Sequence, residues 1–162
     1  MKYLFISFLV FLSFLIGNFI AKYTKDEIKT GKRYFLLLEK ILLGIFILFL
    51  GIQAGFPGIL GGILGIILAF FFPNPVIYLG IGLAFSSGSL FLSSMVFLYG
   101  LVYGSLQHLG KKILPFFLFF MIPSVAVFVF PLTSYAPFFL GFSAGALGFI
   151  FVKENGKARK RP

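Results

Sequence analysis

Six apolar segments alternate with polar stretches along the chain, and nearly every charged residue lies between or beyond these segments. The apolar segments cover residues 3–21, a stretch from 34 or 41 to 54, 57–72, 76–106, 113–131 and 137–152. Because the apolar core of a bilayer is roughly 30 Å thick, a helix needs about 20 residues to cross it. The pattern predicts an all-α, polytopic transmembrane bundle. It forms a single domain over residues 1–162, with a polar loop at 22–40 and a basic tail at 153–162.

Two neighbouring apolar segments differ from a simple spanning helix. Residues 57–72 are short and rich in glycine, and Pro73-Asn74-Pro75 then forces a turn, because proline breaks a helix and restrains the residue before it. Residues 76–106 are interrupted by Ser86-Ser87-Gly88-Ser89, so they form either one long tilted helix or two shorter ones. We expect residues 57–88 to be a helical hairpin or broken pair, buried by the other helices through its glycines.

The polar loop 22–40 holds six of the fourteen Lys and Arg residues. Thr24 and Glu27 have the spacing of a capping box, and Gly31 is a plausible stop for the short helix that would follow. The loop is therefore either a short helix at the membrane surface or a solvated connecting turn that binds nothing.

Charge predicts how the chain is threaded through the membrane. The net charge of +10 comes from Lys and Arg in the loop 22–40, at Lys111 and Lys112, and in the tail. Cytoplasmic loops collect such residues, so all three regions are expected in the cytoplasm, with the N-terminus outside a prokaryotic cell membrane. This requires an odd number of crossings. There are five if residues 57–88 enter and leave on one face, and seven if two crossings are short. Six plain helices with one exception to the charge rule are the third option.

Two pairs of similar positions suggest an internal repeat. Gly31-Lys32-Arg33 matches Gly110-Lys111-Lys112 at an offset of 79 residues, and Pro57 matches Pro137 at an offset of 80. Either a duplication of three helices produced inverted halves, as in several transporter folds, or the matches are a coincidence in a chain of few residue types.

Few residues could carry chemistry. The chain has no cysteine and one histidine, which excludes disulfides, thiol chemistry and His-rich metal sites. No second carboxylate shares a helix face with Glu39, and no serine lies in a nucleophile-elbow motif, so we predict no catalytic residue, no cofactor and no metal. The basic and aromatic residues lack the interleaving of nucleic-acid binding proteins, so no nucleic acid is expected. The candidate functional positions are therefore polar side chains in or near the apolar segments: Glu39, Gln53, Ser86, Ser87, Ser89, Ser93, Ser94 and His108.

Each kind of candidate has two interpretations. Glu39 and His108 are either anchors at the membrane surface or functional groups inside it. The serines either line a narrow polar path or, like the many pairs of small residues four apart, let helices pack closely. These small-residue faces could also join copies of the chain or other membrane subunits.

The composition, 60% hydrophobic and 11% charged residues, leaves three functions open. The first is a transporter, channel or permease subunit for a small solute, because broken segments rich in Gly, Pro and Ser are typical of transport proteins. The second is a non-catalytic subunit of a larger membrane complex. The third, more distant, is an enzyme that acts on lipid, with the loop 22–40 holding a phosphate headgroup.

Overall fold

The computed structural model describes residues 2–86, 89–106, 113–129 and 132–159. Over these ranges the chain forms seven α-helices and no β-strand, which confirms the all-α prediction. The helices are α1 (Lys2–Tyr23), α2 (Lys25–Ala54), α3 (Gly58–Phe71), α4 (Pro75–Phe85), α5 (Leu90–Leu106), α6 (Ile113–Val129) and α7 (Ala136–Arg159), with a short 3-10 helix at Leu132–Tyr135 before α7.

Three of the described helices are long and apolar enough to cross a membrane, namely within Phe5–Tyr23, Thr30–Ala54 and Ala136–Glu154. These helices indicate insertion in a membrane. The count of six plain helices is not confirmed, because residues 76–106 form two helices and α3 has only 14 residues. At 1.5 Å per residue, α3 is about 21 Å long and shorter than the roughly 30 Å core of a bilayer.

The loop 22–40 is neither a separate surface helix nor a connecting turn. Only Thr24 separates α1 from α2, and α2 then continues through Gly31 for 30 residues. The Thr24 hydroxyl donates a hydrogen bond to the Ile20 carbonyl at 2.9 Å, so it forms no capping box. A glycine inside a helix costs about 1 kcal/mol relative to alanine. The packing of α2 outweighs this cost, and the helix ends only at Gly55, whose φ of 58° lies in the left-handed region.

Consecutive helices alternate in direction. Helix α3 runs parallel to α7, because Gly58 at its start lies against Pro137 and Phe70 near its end lies against Phe149. Helix α1 runs parallel to α5, because Gly100 lies against Ser13 and, one turn later, Gly104 lies against Asn18. The antiparallel pairs are α2 with α5 (Glu39–Tyr99, Phe49–Phe91), α1 with α6 (Ser7–Ser124, Phe11–Phe117) and α4 with α7 (Tyr78–Ser143, Phe85–Phe139).

This alternation gives the bundle two distinct ends. The basic end carries Lys22, Lys32, Arg33 and Lys153, and the starts of α2, α4 and α6 lie there with the last turns of α1, α3, α5 and α7. The opposite end carries Phe56, Ser86 and Tyr135. Residues 57–86 therefore begin and end at the opposite end of the bundle, which both five crossings with a re-entrant pair and seven crossings require.

The turn between α3 and α4 satisfies its own backbone. The Asn74 carboxamide oxygen accepts from the Val76 N–H at 3.1 Å, and the Tyr78 hydroxyl donates to the Phe72 carbonyl at 3.0 Å.

Almost all of α4 is buried, whereas α3 buries only its small residues, Gly58, Gly61, Gly65 and Ala69. The predicted reversal is thus present and its second helix is buried, but the apolar outer face of α3 is exposed.

The small face of α3 packs directly on the backbone of α7. A methyl group at Gly61 would overlap the carbonyl oxygen of Phe138, and one turn later a methyl group at Gly65 would overlap the carbonyl oxygen of Phe142. Glycine alone permits this separation, because any larger residue places a Cβ at the contact. Such close approach lets two membrane helices gain packing energy over their whole length.

The contact between α3 and α7 is reciprocal. A methyl group at Gly141 would overlap the carbonyl oxygen of Gly58, and one at Gly145 would overlap that of Gly62. Positions 58, 61, 62 and 65 of α3 correspond to positions 138, 141, 142 and 145 of α7, at a constant offset of 80 residues. Under this correspondence, each contact of an α3 glycine with an α7 carbonyl matches a contact of an α7 glycine with an α3 carbonyl. Such exchange is the property of an isologous interface around a two-fold axis.

Helices α1 and α5 repeat the arrangement at a different offset. A methyl group at Gly17 would overlap the Leu101 carbonyl, and one at Gly104 would overlap the Phe14 carbonyl. Positions 14 and 17 of α1 correspond to positions 101 and 104 of α5 at an offset of 87 residues, so these two contacts are also exchanged. The exchanged contacts within these two pairs indicate an approximate two-fold relation between the first half (α1–α3) and the second half (α5–α7), with α4 between them. The paired helices point the same way, so the halves are parallel and not inverted.

We expect Gly61→Ala and Gly65→Ala to destabilise the fold by about 1–3 kcal/mol or more, because the methyl group meets backbone that cannot move aside. Gly62→Ala is the matched control, because its methyl group would lie 3.6 Å from the Gly141 carbonyl oxygen, an ordinary contact. Gly148→Ala is a second control, because open space surrounds that position. Thermal unfolding in detergent measures the four variants, and equal Tm values for Gly61→Ala and Gly62→Ala would contradict the packing described here.

Candidate functional site

The candidate polar residues fall into three groups in space. Glu39 lies on α2 towards the basic end, Gln53 and Ser86 meet at the opposite end, and Ser89, Ser93 and Ser94 lie in or beside the first turn of α5. Ser87 and His108 are outside the described residues. The candidates do not form one site, but Glu39 and Gln53 lie near the two ends of one side of α2, whose middle is buried.

Glu39 is held by a tyrosine of another helix. The Tyr99 hydroxyl on α5 donates a hydrogen bond to the Glu39 carboxylate at 3.3 Å, and the Tyr99 side chain is 2% exposed. Tyr103, one turn along α5, stacks on Tyr99 with ring centroids 5.5 Å apart and is also buried. The half-buried carboxylate thus faces two tyrosines of α5.

A second carboxylate approaches from α7. Glu154 lies within electrostatic range of Glu39, Tyr99 and Tyr103. We call these four residues the Glu39 cluster. Spacing in the sequence reveals only that Tyr99 and Tyr103 share one helix face, four residues apart. In the part of the chain that the structure describes, no three His, Asp or Glu side chains are grouped closely enough to hold a metal ion.

The group at the opposite end borders a small open cavity. Its volume is about 310 Å³, and its lining residues are Gln53, Phe85, Ser86, Ala136, Pro137 and Leu140. The Ser86 side chain is buried and its hydroxyl donates to the Leu83 carbonyl at 2.9 Å, whereas Gln53 is exposed. The cavity therefore combines one exposed carboxamide with an apolar wall.

Apolar side chains separate this cavity from the Glu39 cluster. Phe46 and Leu50 of α2 are almost completely buried and lie against Gly82 of α4. Ser143 of α7 reaches the same place, and its hydroxyl donates to the Tyr78 carbonyl. We call the side of α2 that runs from the half-buried Glu39 to the exposed Gln53 the α2 seam; it has polar groups at both ends and is closed in the middle by the buried Phe46 and Leu50.

The serine hydroxyls at the start of α5 form hydrogen bonds with the backbone of the same segment. The Ser93 hydroxyl donates to the Ser89 carbonyl at 2.9 Å, and the Ser94 hydroxyl donates to the Leu90 carbonyl at 2.8 Å. The Ser89 hydroxyl accepts from the Leu92 N–H at 3.5 Å, at the start of the helix. Ser93 and Ser94 also border an apolar groove between α1 and α5. These hydrogen bonds favour a role in helix packing over a polar path.

Comparison of the chain with models of protein families, with curated proteins and with solved structures finds no match. The geometry of the described residues is therefore the basis for a function.

The Glu39–Tyr99 hydrogen bond gives a stability test. Glu39→Gln keeps an oxygen acceptor for the Tyr99 hydroxyl, so we expect little change in the free energy of unfolding. Glu39→Leu leaves that buried hydroxyl unpaired and should cost about 1–3 kcal/mol. Adding Tyr99→Phe to Glu39→Leu removes the unpaired group and should recover much of the loss in a double-mutant cycle. Equal stability for Glu39→Gln and Glu39→Leu in detergent would show that the hydrogen bond contributes nothing.

Proposed function

We propose that the protein transports a small polar solute along the α2 seam. The observation that carries this proposal is the seam itself, with the Glu39 cluster at one end, Gln53 and Ser86 at the other, and Phe46 and Leu50 closing the middle. Buried polar residues are costly in a membrane and are commonly found where solutes or ions pass. Because Phe46 and Leu50 fill the middle of the seam, it is not an open channel, and this favours a transporter that changes conformation.

The approximate two-fold relation between the halves supports this function. Several transporter folds consist of parallel repeats related by an axis along the membrane normal, and one repeat rocks against the other to expose a central site alternately. Here the halves meet through the glycine contacts of α3 with α7 and of α1 with α5.

The helices around the seam suggest how its two ends would open in turn to the two sides of the membrane. At the basic end it lies between α2, α5 and α7, and at the opposite end between α2, α4 and α7. A small tilt of α2 relative to α7 would open one end while it closes the other. The carboxylate, carboxamide and hydroxyl groups favour a solute with hydrogen-bond donors.

We further propose that the basic end faces the cytoplasm of a prokaryotic cell, with the N-terminus outside. The support is the positive-inside rule together with the position of Lys22, Lys32, Arg33 and Lys153 at one end of the bundle. Five crossings with a re-entrant pair, α3 and α4, and seven crossings with these two helices short give the same orientation.

A second candidate is an accessory subunit of a larger membrane complex. The observation that favours it is α3, a 14-residue helix whose outer face is entirely apolar and exposed. A helix this short does not extend across the full thickness of the hydrocarbon core, and association with another subunit is one way to accommodate this mismatch in length.

Flux through the purified protein tests transport. We expect proteoliposomes to swell faster than protein-free liposomes in one or more members of a panel of isosmotic neutral solutes, such as polyols, sugars and amino acids.

The chain has no cysteine, so Gln53→Cys with Leu140→Cys can be joined across the opposite-end cavity by a cleavable bis-maleimide. The cross-link should stop the swelling, and its cleavage should restore the original rate.

The single variants Gln53→Cys and Leu140→Cys, treated with the same reagent, are the controls and should keep their flux. Swelling that persists in the cross-linked protein would exclude movement at this end. Absence of flux for every solute, together with co-purification of another polypeptide, would favour the accessory subunit.

Cysteine labelling in intact cells tests the orientation. Glu27→Cys at the basic end should resist a membrane-impermeant maleimide, whereas Phe56→Cys, 86% exposed at the opposite end, should react. Both positions should react in permeabilised cells. The reverse pattern in intact cells would overturn the proposed orientation.

A further inference from the structure

A groove on the outer surface of α2 at the basic end has no role in the proposed transport path. Its volume is about 910 Å³, and it is lined mainly by Lys32, Arg33, Tyr34, Leu36, Leu37 and Lys40. The groove lies on the side of the helix that the neighbouring helices leave open, because Lys32, Arg33 and Tyr34 are all exposed. A ligand could enter it directly from the membrane surface.

Two of the three positive charges of the groove, Lys32 and Arg33, are exposed and available to a ligand. Neither Lys32 nor Arg33 forms an ion pair with a carboxylate among the residues that the structure describes. The Glu39 carboxylate interacts electrostatically with the adjacent Lys40, but its hydrogen bond comes from Tyr99 on the inner side of α2. Successive residues of a helix point about 100° apart, so Lys40 can line the groove while Glu39 faces inward. Three cationic groups are thus presented within about two turns of one helix.

The same groove has an apolar floor. Leu36 and Leu37 are 40% and 57% exposed, and Tyr34 is 76% exposed. A soluble anion would use the cationic groups and leave these leucines without a partner. A phospholipid would use both parts, because its phosphate pairs with Lys and Arg while its glycerol and first acyl carbons lie on leucine. Tyrosine is enriched at this depth of a bilayer, and lysine side chains extend towards the headgroups.

We propose that this groove binds the headgroup of an anionic phospholipid from the leaflet at the basic end. The phosphate lies between Lys32 and Arg33, Lys40 reaches it from below, and the acyl chains lie along Leu36 and Leu37. Basic pockets of this kind on membrane helices are suited to acidic headgroups, because each cation near the surface adds to their attraction. The bound lipid would hold the first turns of α2 at the level of the headgroups.

Lipid retention by the purified protein tests this proposal. The protein is reconstituted in mixed micelles that contain phosphatidylglycerol and phosphatidylcholine, and bound lipid is counted by native mass spectrometry. We expect selective retention of phosphatidylglycerol. Retention should be about fivefold weaker in Arg33→Gln and weaker again in Lys32→Gln/Arg33→Gln. Arg33→Lys, which keeps the charge, should retain most of the binding.

Lys22→Gln is the matched control, because it removes one exposed positive charge at the same end but outside the groove. Equal losses in Lys22→Gln and Arg33→Gln would mean general surface electrostatics and would overturn the site. Leu37→Ser tests the lipid source of the phosphate and should weaken phosphatidylglycerol retention without changing Tm in lipid-free detergent. Full competition by millimolar inorganic phosphate, with no effect of Leu37→Ser, would assign the groove to a soluble anion and refute the proposal.

Discussion

Direct contact between helix backbones at glycine is the constraint on which the rest of this structure depends. Lipid tails are as apolar as leucine, so the hydrophobic effect does little to hold helices together inside a bilayer. Close packing must do it, and Gly61 and Gly65 of α3 lie against carbonyl groups of α7, while Gly141 and Gly145 of α7 lie against carbonyl groups of α3. These contacts fix the direction of both helices and their register. They also explain why the outer face of α3 can remain exposed.

The pairing across the halves has a further consequence for the architecture. Helix α1 packs on α5 and α3 packs on α7, whereas helices within one half make few contacts with one another. Helix α2 lies against α5 and α7, and α6 lies against α1 and α4. The two halves are therefore interwoven, and neither has a core of its own. The short helix α4 breaks the two-fold relation, because it occupies the position beside α6 that symmetry would give to α3.

Helix α2 connects the two proposals. Glu39 faces the tyrosines of α5 and helps to form the polar end of the seam, while the adjacent Lys40 faces the groove on the outside. One helix thus presents a carboxylate to the interior and cations to the headgroups. If the helix tilts during transport, the lipid groove moves with it. Bound lipid and the conformation of the seam would then be linked, because a ligand that prefers one position of α2 favours that state.

Much of this structure follows from the sequence alone. Long apolar segments must be helical in a membrane, because helices satisfy their backbone groups internally, and Pro73, Asn74 and Pro75 set the reversal between α3 and α4. The sequence also shows that close-packing glycines are abundant and that thiol chemistry is absent.

Other features were decided only in three dimensions. Nothing local shows that α2 continues through Gly31, that Gly61 and not Gly62 meets a carbonyl, or that Glu39 accepts from Tyr99. The capping-box motif at Thr24 indicated a helix start correctly but gave the wrong hydrogen bond. The physical reason is that an almost uniformly apolar chain carries little periodicity to mark which helix face is inside. Partners far apart in sequence are therefore chosen by the direction and register of whole helices, which backbone contacts at glycine determine.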